Sequence, residues 1–180
     1  MNLLLRRFQP EKDFQATFDC GNDDLNDYLL ETAADRQNAA FNEKELMAIT
    51  YIVENRDSHD ILAYFSLLHD KIERDVIESD IWNRLSRRIP NVLRRSSYPA
   101  LKIGRLAVNI PAQSTGIGTM IVNYIETKYL VDMFAGCRFI TVDALNSAQD
   151  FYRKNHFLPL KRYDSPADTT PMFFDLKSLL

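Results

Sequence analysis

The sequence has 180 residues, 46% of them hydrophobic, which is enough for one domain (residues 1–180) with a substantial core. Its net charge of −3 argues against general polyanion binding, and no apolar run approaches the roughly 18 residues of a membrane span. The two cysteines and three histidines fit no metal or redox spacing, so we expect a cytoplasmic protein without a metal site.

The first part of the chain is predicted to contain a strand followed by helices. Leu3 to Phe8 has the composition of a strand, and Glu11 to Phe18 is predicted as a short helix. A further helix begins after a cap at Asn22 or Asp23. Its apolar stripe is typical of core packing and consists of Leu25, Tyr28, Leu29, Ala33 and Ala40.

Two β-branched and aromatic segments come next. Leu46 to Val53 and Ile61 to Leu68 are separated by turn-forming residues, which predicts an antiparallel hairpin. Asp80 to Arg88 has the spacing of an amphipathic helix, and Ser96 to Pro99 is predicted as a loop.

The segment Gln113-Ser114-Thr115-Gly116-Ile117-Gly118 joins a predicted strand, Ala100 to Val108, to a predicted helix that continues to Phe134. Glycine lets the backbone turn sharply and lets a ligand approach closely. The first amides of a helix lack partners within it, and the helix dipole adds positive charge there. The junction therefore predicts a phosphate site, although a plain tight turn is the alternative. A P-loop and a dinucleotide fingerprint are excluded because their further lysine and glycine are missing.

The last third of the chain has alternating strands and helices. Arg138 to Val142 is predicted as a strand, and a helix capped by Asn146 or Ser147 extends to Asn155. Closing strands are predicted over Phe157 to Leu160 and Met172 to Leu176. The order of elements predicts an α/β (α+β) fold with a mixed, mostly antiparallel central sheet and helices on both faces.

Positive charge is concentrated in the middle of the chain. No acidic residue lies between Asp80 and Glu126. Such a block is usually a solvated surface, but here it flanks the predicted phosphate site and so favours a polyanionic ligand or partner. The block contains Arg84, Arg87, Arg88, Arg94, Arg95, Lys102 and Arg105.

Two motifs in this order resemble the GNAT superfamily, the GCN5-related, acyl-CoA-dependent N-acyltransferases. Gln113 to Gly118 matches the Gln/Arg-x-x-Gly-x-Gly/Ala turn of that family. Asn146 to Phe157 is similar to its second signature, Asn-x-x-Ala-x-x-Phe/Leu-Tyr-x-x-x-Gly-Phe. His156 stands where the family has glycine, a position that often needs positive φ. Histidine adopts that conformation more readily than most residues, and Asn155 is the alternative.

The resemblance implies an acyltransferase (N-acetyltransferase) that moves an acetyl group directly from acetyl-CoA, as co-substrate, to an amine. The pyrophosphate is expected on the turn amides, from Gln113 through Ser114, Thr115, Gly116 and Ile117 to Gly118. The pantetheine arm is expected along Leu106, Ala107 and Val108, where a backbone N–H would polarise the thioester carbonyl. Asn146 matches a residue that hydrogen-bonds that arm.

Tyr152 matches the general acid that protonates the departing CoA thiolate. A phenol has a pKa near 10 and a thiol a pKa near 8.5, so tyrosine keeps its proton until the thiolate forms. Periodicity alone would make Tyr152 a core residue beside Phe151. No base is identified; Glu45 and Glu54 are carboxylates on predicted strands.

A narrower resemblance concerns the acceptor. Phe18 to Leu29, together with Gly104 to Val108, is similar to the GNAT-type toxins of toxin–antitoxin pairs, which acetylate the α-amine of aminoacyl-tRNA. This reading adds tRNA and an antitoxin as partners, with tRNA contacted by Arg84, Arg87, Arg88, Arg94 and Arg95. A stand-alone acetyltransferase for another primary amine and a non-catalytic CoA-binding regulatory module are the alternatives. A homodimer stays open, and no membrane partner is expected.

Overall fold

The computed structural model describes residues 2–14, 16–30, 38–132, 135–161 and 168–180. In these ranges, seven strands form a mixed, mostly antiparallel sheet, as the sequence predicts. The strands are β1 (Leu3–Arg7), β2 (Ile49–Asn55), β3 (Ile61–Glu73), β4 (Ser97–Val108), β5 (Phe139–Leu145), β6 (Leu158–Pro159) and β7 (Thr169–Asp175). Their order in the sheet is β1-β2-β3-β4-β5-β7-β6.

The helices of the described ranges lie between these strands. They are α1 (Pro10–Asp13), α2 (Asp23–Leu30), α3 (Ala39–Lys44), α4 (Ser79–Arg87), α5 (Ile117–Val131) and α6 (Gln149–Lys154). None of them combines the length and apolar composition that a membrane crossing requires. Contacts group the chain into a first unit, Met1–Leu68 with Ile103–Tyr124, and a second unit, His69–Lys102 with Ile125–Leu180.

The first unit contains the antiparallel strands β1 and β2 and the part of β3 up to Leu68, with Leu5 opposite Val53 and Ile52 opposite Tyr64. Its core is a cluster of apolar side chains, many of them aromatic. Asn22 caps α2, because its side-chain oxygen accepts a hydrogen bond from the Leu25 amide (3.1 Å). The core consists of Phe8, Phe18, Tyr28, Leu29, Ala39, Ile52, Ile61, Tyr64 and Ala107.

Three predictions for the first unit need correction. The helix predicted over Glu11 to Phe18 is only the four-residue α1, which begins at Pro10. Ala40 belongs to α3, which has its own cap at Asn38, and Ala33 lies outside the described residues. The strand predicted from Leu46 begins at Ile49, because Leu46 takes a left-handed φ of 58° that ends α3.

The second unit is built on β5 and β7, which pair antiparallel along their whole lengths, with β6 added at the far side of β7. Helix α4 buries Ile81, Trp82 and Leu85, as its spacing predicts. The loop predicted over Ser96 to Pro99 is wrong, since β4 already begins at Ser97. Phe134 lies outside the described residues.

Candidate functional site

The turn from Gln113 to Gly118 carries two left-handed residues. Ser114 has a φ of 61° and Gly116 a φ of 90°, and the Gly116 carbonyl accepts the first hydrogen bond of α5, from Met120 (2.9 Å). The Gln113 amide is already bonded to the Ile110 carbonyl (3.1 Å). The six amides of residues 114–119 donate to no backbone carbonyl of the described chain. Consecutive unpaired N–H groups at the start of a 15-residue helix suit an anion.

The side chains of the turn hold its shape. The Gln113 side-chain amide donates to the carbonyl oxygens of Cys20 and Val108, both at 3.0 Å. The Thr115 hydroxyl donates to the Ala112 carbonyl (2.7 Å). The glutamine of the motif therefore ties the turn to the end of β4 and to the loop before α2.

The end of β4 runs directly into this turn. Ala107 is buried in the core of the first unit, whereas Leu106 and Val108 are partly exposed. A Cβ atom on Gly104 would come within 2.7 Å of the Leu68 side chain and 3.0 Å of the Ser66 hydroxyl. A larger residue here would have to displace the end of the Leu68 side chain, so glycine suits the close approach at this point. The first unit brings the predicted pyrophosphate turn and the predicted pantetheine residues Leu106, Ala107 and Val108 together.

Arg105 lies in the basic block and in the segment Gly104 to Val108 that resembles the GNAT-type toxins, but the sequence assigns it no role of its own. Its guanidinium lies over the Tyr28 ring (5.2 Å to the ring centre) and 3.5 Å from the Asp24 carboxylate. Its Nη1 donates to the Gly104 carbonyl (3.3 Å). Among the described residues, the Arg105 Nε is the one buried side-chain nitrogen or oxygen without a hydrogen-bond partner. Asp24 and Tyr28 lie in one of the two segments that resemble the GNAT-type toxins and Arg105 lies in the other, but nothing in the sequence indicates that they are in contact.

The second unit holds Asn146 in a polar network. The Asn146 Oδ1 accepts hydrogen bonds from the Gln149 amide (2.9 Å) and the Thr170 hydroxyl (3.2 Å). Gln149 also donates to Thr170 (2.9 Å) and accepts from Arg153 (3.0 Å). A cavity of about 360 Å³ lies over Asn146, Gln149, Asp150 and Arg153.

Tyr152 lies on α6 with 5% of its surface exposed. Its ring packs edge-on against Phe151 (5.0 Å between ring centres) and Phe157 (5.4 Å). Burial raises the pKa of Tyr152, and no hydrogen bond of its hydroxyl is found within the described ranges. The phenol therefore holds its proton at neutral pH, as an acid should, while its ring is also part of the core.

His156 takes the conformation expected where the family has glycine. Its φ is 65°, and its amide donates to the Arg153 carbonyl (3.0 Å). The Phe157 amide donates to the Tyr152 carbonyl (3.0 Å), which completes a Schellman motif at the end of α6. Asn155, the alternative, keeps a φ of −93°.

The candidate bases are in poor positions for that role. Glu45 is exposed at the end of α3 and lies on no strand, contrary to the prediction. Glu54 is buried, but hydrogen bonds from Lys12 (2.9 Å) and Arg6 (2.6 Å) overcome the cost of burial and lower its pKa to about 2. A carboxylate held in two ion pairs is a weak proton acceptor.

The five arginines predicted for tRNA are all exposed on α4 or just after it. Arg94 also has a structural role, because its Nε donates to the carbonyl oxygens of Ser86 (3.1 Å) and Ile89 (3.2 Å). Arg84 lies 3.8 Å from Asp80, a weak surface pair. Arg87, Arg88 and Arg95 have side chains without partners among the described residues.

No family model and no curated protein matches this sequence. Solved structures do match. A tyrosine-to-phenylalanine mutant of KacT has a TM-score of 0.77 at 23% identity, over 99% of this chain and 98% of that one. AtaT complexed with acetyl-methionyl-tRNAfMet has a TM-score of 0.74 at 23% identity, over 99% and 97%.

A tyrosine-to-phenylalanine mutant of the AtaT toxin, bound to acetyl-CoA and the C-terminus of the antitoxin AtaR, has a TM-score of 0.69 at 22% identity. It is matched over 99% of this chain and 96% of that one. The chain therefore has the fold of these GNAT-type toxins, and the resemblance drawn from its two motifs is confirmed at the level of fold.

Proposed function

We propose that this chain is an acetyl-CoA-dependent N-acetyltransferase that acts on a primary amine. The observation that carries the proposal is the row of unpaired amides at residues 114–119, in the turn after β4 and the first turn of α5. These N–H groups match the charge of a pyrophosphate, and no side chain at Gly116 obstructs its approach. The pantetheine arm would follow Leu106, Ala107 and Val108, and Asn146 would hydrogen-bond to it.

The reaction is a direct transfer. The neutral amine attacks the thioester carbonyl carbon, a C–N bond forms, and the C–S bond breaks as the tetrahedral intermediate collapses. A backbone N–H of β4 stabilises the oxyanion, and Tyr152 gives its proton to the departing thiolate. The amine proton leaves to water, since an α-amine with a pKa near 8 is partly neutral at pH 7.

Calorimetry with acetyl-CoA tests the first part of this proposal. The wild-type chain should bind, and radiolabelled acetyl-CoA should transfer its label to at least one acceptor in a panel of polyamines, amino acids, lysine peptides and aminoacylated tRNA. Binding without transfer to any acceptor would favour a CoA-binding regulatory module. Absence of binding would reject both readings.

A toxin that acetylates aminoacyl-tRNA is the second candidate. It is favoured by the fold shared with AtaT, whose structure holds acetyl-methionyl-tRNAfMet, and by the exposed arginines of α4. On this reading an antitoxin binds the chain, as AtaR binds AtaT, and a homodimer is a further proposal.

The arginine hypothesis has a specific test. The double change Arg87→Ala and Arg88→Ala should weaken tRNA binding and flatten its salt dependence by roughly one unit of log–log slope for each phosphate that is no longer neutralised. Acetyl-CoA affinity should be unchanged, because the turn amides are untouched. Arg94→Ala is a poor probe, since it also removes the hydrogen bonds at the end of α4. An unchanged salt slope would reject this surface.

A further inference from the structure

Arg105 makes few hydrogen bonds for a residue of a packed strand. A guanidinium has five N–H donors, and in Arg105 only one of them makes a hydrogen bond, at 3.3 Å to Gly104. The ion pair with Asp24 is long, at 3.5 Å, and the Asp24 side chain is 78% exposed. The buried Nε has no partner in the described chain. Such an unsatisfied group costs free energy, so its retention calls for a reason.

The aromatic side chains of Tyr28 and Tyr64, beneath Arg105, are by contrast well anchored. Tyr28 stacks on Tyr64 (5.8 Å between ring centres), and its hydroxyl lies 3.3 Å from the Thr50 hydroxyl in the core. The Tyr64 hydroxyl donates to the Leu25 carbonyl (2.6 Å). An aromatic surface below an under-bonded, partly exposed cation is suited to ligand recognition, because the ring positions the guanidinium while its Nη donors stay available.

The charges at this surface form a close pair of opposite sign. The Arg105 guanidinium attracts an oxygen, and the Asp24 carboxylate beside it attracts an ammonium group. An amine whose neighbouring carbon bears a carbonyl or carboxylate satisfies both charges. A plain polyamine offers only positive charge, which Arg105 repels, and a bare phosphate offers only negative charge, which Asp24 repels.

We propose that Arg105 is the residue that recognises the acceptor, by hydrogen bonding to an oxygen next to the acceptor amine, with Asp24 attracting the amine itself. This inference rests on the proposed acetyltransferase function. Arg105 directly precedes Leu106, the first residue proposed to hold the pantetheine arm. Alternation along the strand puts Arg105 and Ala107 on the face that packs against Tyr28, so the acceptor lies on that face.

Three acceptors that differ only in the group next to the amine test the roles of Arg105 and Asp24 separately. Leucinamide has a carbonyl next to its amine, leucine has a carboxylate there, and isoamylamine has the same skeleton with neither. The wild type should prefer leucinamide or leucine over isoamylamine by about 10- to 100-fold in kcat/KM, the worth of one charge-assisted hydrogen bond. A preference for leucinamide would mean that Arg105 binds the carbonyl oxygen of an acyl group, and a preference for leucine would mean that it binds a free carboxylate.

Variants of the two residues should act differently on this set. Arg105→Met keeps the stem but removes the donors and the charge, and should abolish the preference by lowering the turnover of leucinamide and leucine without lowering that of isoamylamine. Arg105→Lys keeps the positive charge but loses the planar set of guanidinium donors, and should retain only part of the preference. Asp24→Asn should weaken all the amines alike. Arg7→Met is the matched control, because Arg7 is also exposed in the first unit and pairs with a carboxylate at 3.7 Å.

Binding measurements keep this inference separate from the proposed function. Acetyl-CoA affinity should be the same in all four variants, so its loss in Arg105→Met would contradict the inference. Equal losses on leucinamide and isoamylamine would reduce Arg105 to a structural residue. If the wild type transfers no acetyl group, binding of the product analogue N-acetyl-leucinamide still decides: dependence on Arg105 supports the inference, and independence or absence of binding overturns it.

Discussion

The two segments that resemble the GNAT motifs differ in which groups are proposed to act: backbone amides in the first, and side chains in the second. In the turn before α5, the side chains of Gln113 and Thr115 hydrogen-bond to backbone carbonyls and so fix the conformation of the turn. The backbone amides of the turn stay unpaired. Around α6 the backbone amides of Asn155, His156 and Phe157 are all bonded, and the groups proposed to act are the side chains of Asn146 and Tyr152. The first motif specifies a conformation and the second a set of functional groups.

This difference predicts two kinds of sensitivity to mutation. The turn should tolerate changes of side chain that keep its φ angles, and should fail when those angles change. The α6 segment should tolerate small changes of backbone strain, and should fail when one hydroxyl is removed. Each of the following experiments tests one side of that contrast.

The largest effect is expected for Tyr152→Phe. The change removes the proposed proton donor, so kcat should fall by ~10²–10⁴. Stability should hardly change, because the hydroxyl has no hydrogen-bond partner in the described ranges and the ring packing is kept. Single-turnover kinetics and thermal unfolding measure the two effects.

Tyr129→Phe is the control for that experiment. The Tyr129 hydroxyl donates to the Ala135 carbonyl (3.3 Å), so its loss should reduce stability by about 1 kcal/mol and leave kcat unchanged. A kcat for Tyr152→Phe within about threefold of the wild type would remove Tyr152 from the mechanism. The chain would then need another acid.

Gly116→Val should have the next largest effect, on acetyl-CoA affinity. A β-branched residue at a φ of 90° is strained, by roughly 1–3 kcal/mol, and relieving that strain changes the path of the amides. Acetyl-CoA should therefore bind about 10- to 100-fold more weakly by calorimetry. A Cβ at Gly116 meets no atom within 4 Å, so the cause is conformation and not a clash.

Gly136→Val supplies the matched comparison for Gly116. Gly136 also has open space around its Cβ position, but its φ is outside the left-handed region. The same substitution there should leave acetyl-CoA affinity unaltered. Equal affinities for the two variants would mean that the turn does not bind the pyrophosphate.

The sequence predicted most of the elements because their signals are local. The hairpin, α4 and the strand–turn–helix around Gly116 follow from apolar spacing and turn residues, and all are present. One of the errors falls where a single backbone angle overrides composition. Leu46 to Ala48 looks like a strand by its apolar content, yet Leu46 at a φ of 58° belongs to the end of α3.

The candidate site was predictable only where a motif is contiguous. The turn and α6 segments could be found in the sequence, and so could the need for positive φ at His156. The Arg105–Tyr28–Asp24 cluster and the ion pairs of Glu54 join residues that are tens of positions apart. No spacing rule connects them, because the sheet and the packing of α2 bring them together.

A pH experiment on Glu126 compares the middle of α5, where we expect an effect on stability, with the start of α5, where we expect an effect on acetyl-CoA binding. Glu126 is 7% exposed, and burial raises its pKa to about 7. The folded chain thus binds a proton that the unfolded chain has lost, so stability should fall as the pH rises from about 4.5 to about 7. Glu126→Gln should remove that fall and gain about 1–2 kcal/mol at pH 8, with no gain at pH 4.

Chemical unfolding at several pH values measures this prediction. The variant should also keep the acetyl-CoA affinity of the wild type, because the amides at the start of α5 are unchanged. A pH-independent difference between Glu126→Gln and the wild type would show that the carboxylate does not titrate in this range. An inflection of kcat/KM near pH 7 that survives in Glu126→Gln would belong to the acceptor amine or another group.

The smallest effect is expected for His156→Gly. Glycine adopts the φ of 65° at this position without the strain of a side chain, so stability should rise by roughly 0.5 kcal/mol, or about 1–2 °C in Tm. Leu46→Gly, at a φ of 58° in the other unit, should gain more, because leucine tolerates this conformation less well than histidine. If the segment from Asn146 to Phe157 works only through Asn146 and Tyr152, turnover should be equal in His156→Gly and the wild type. A drop in turnover without loss of stability would instead assign a chemical role to the imidazole, and the departure from the family motif at His156 would then be functional.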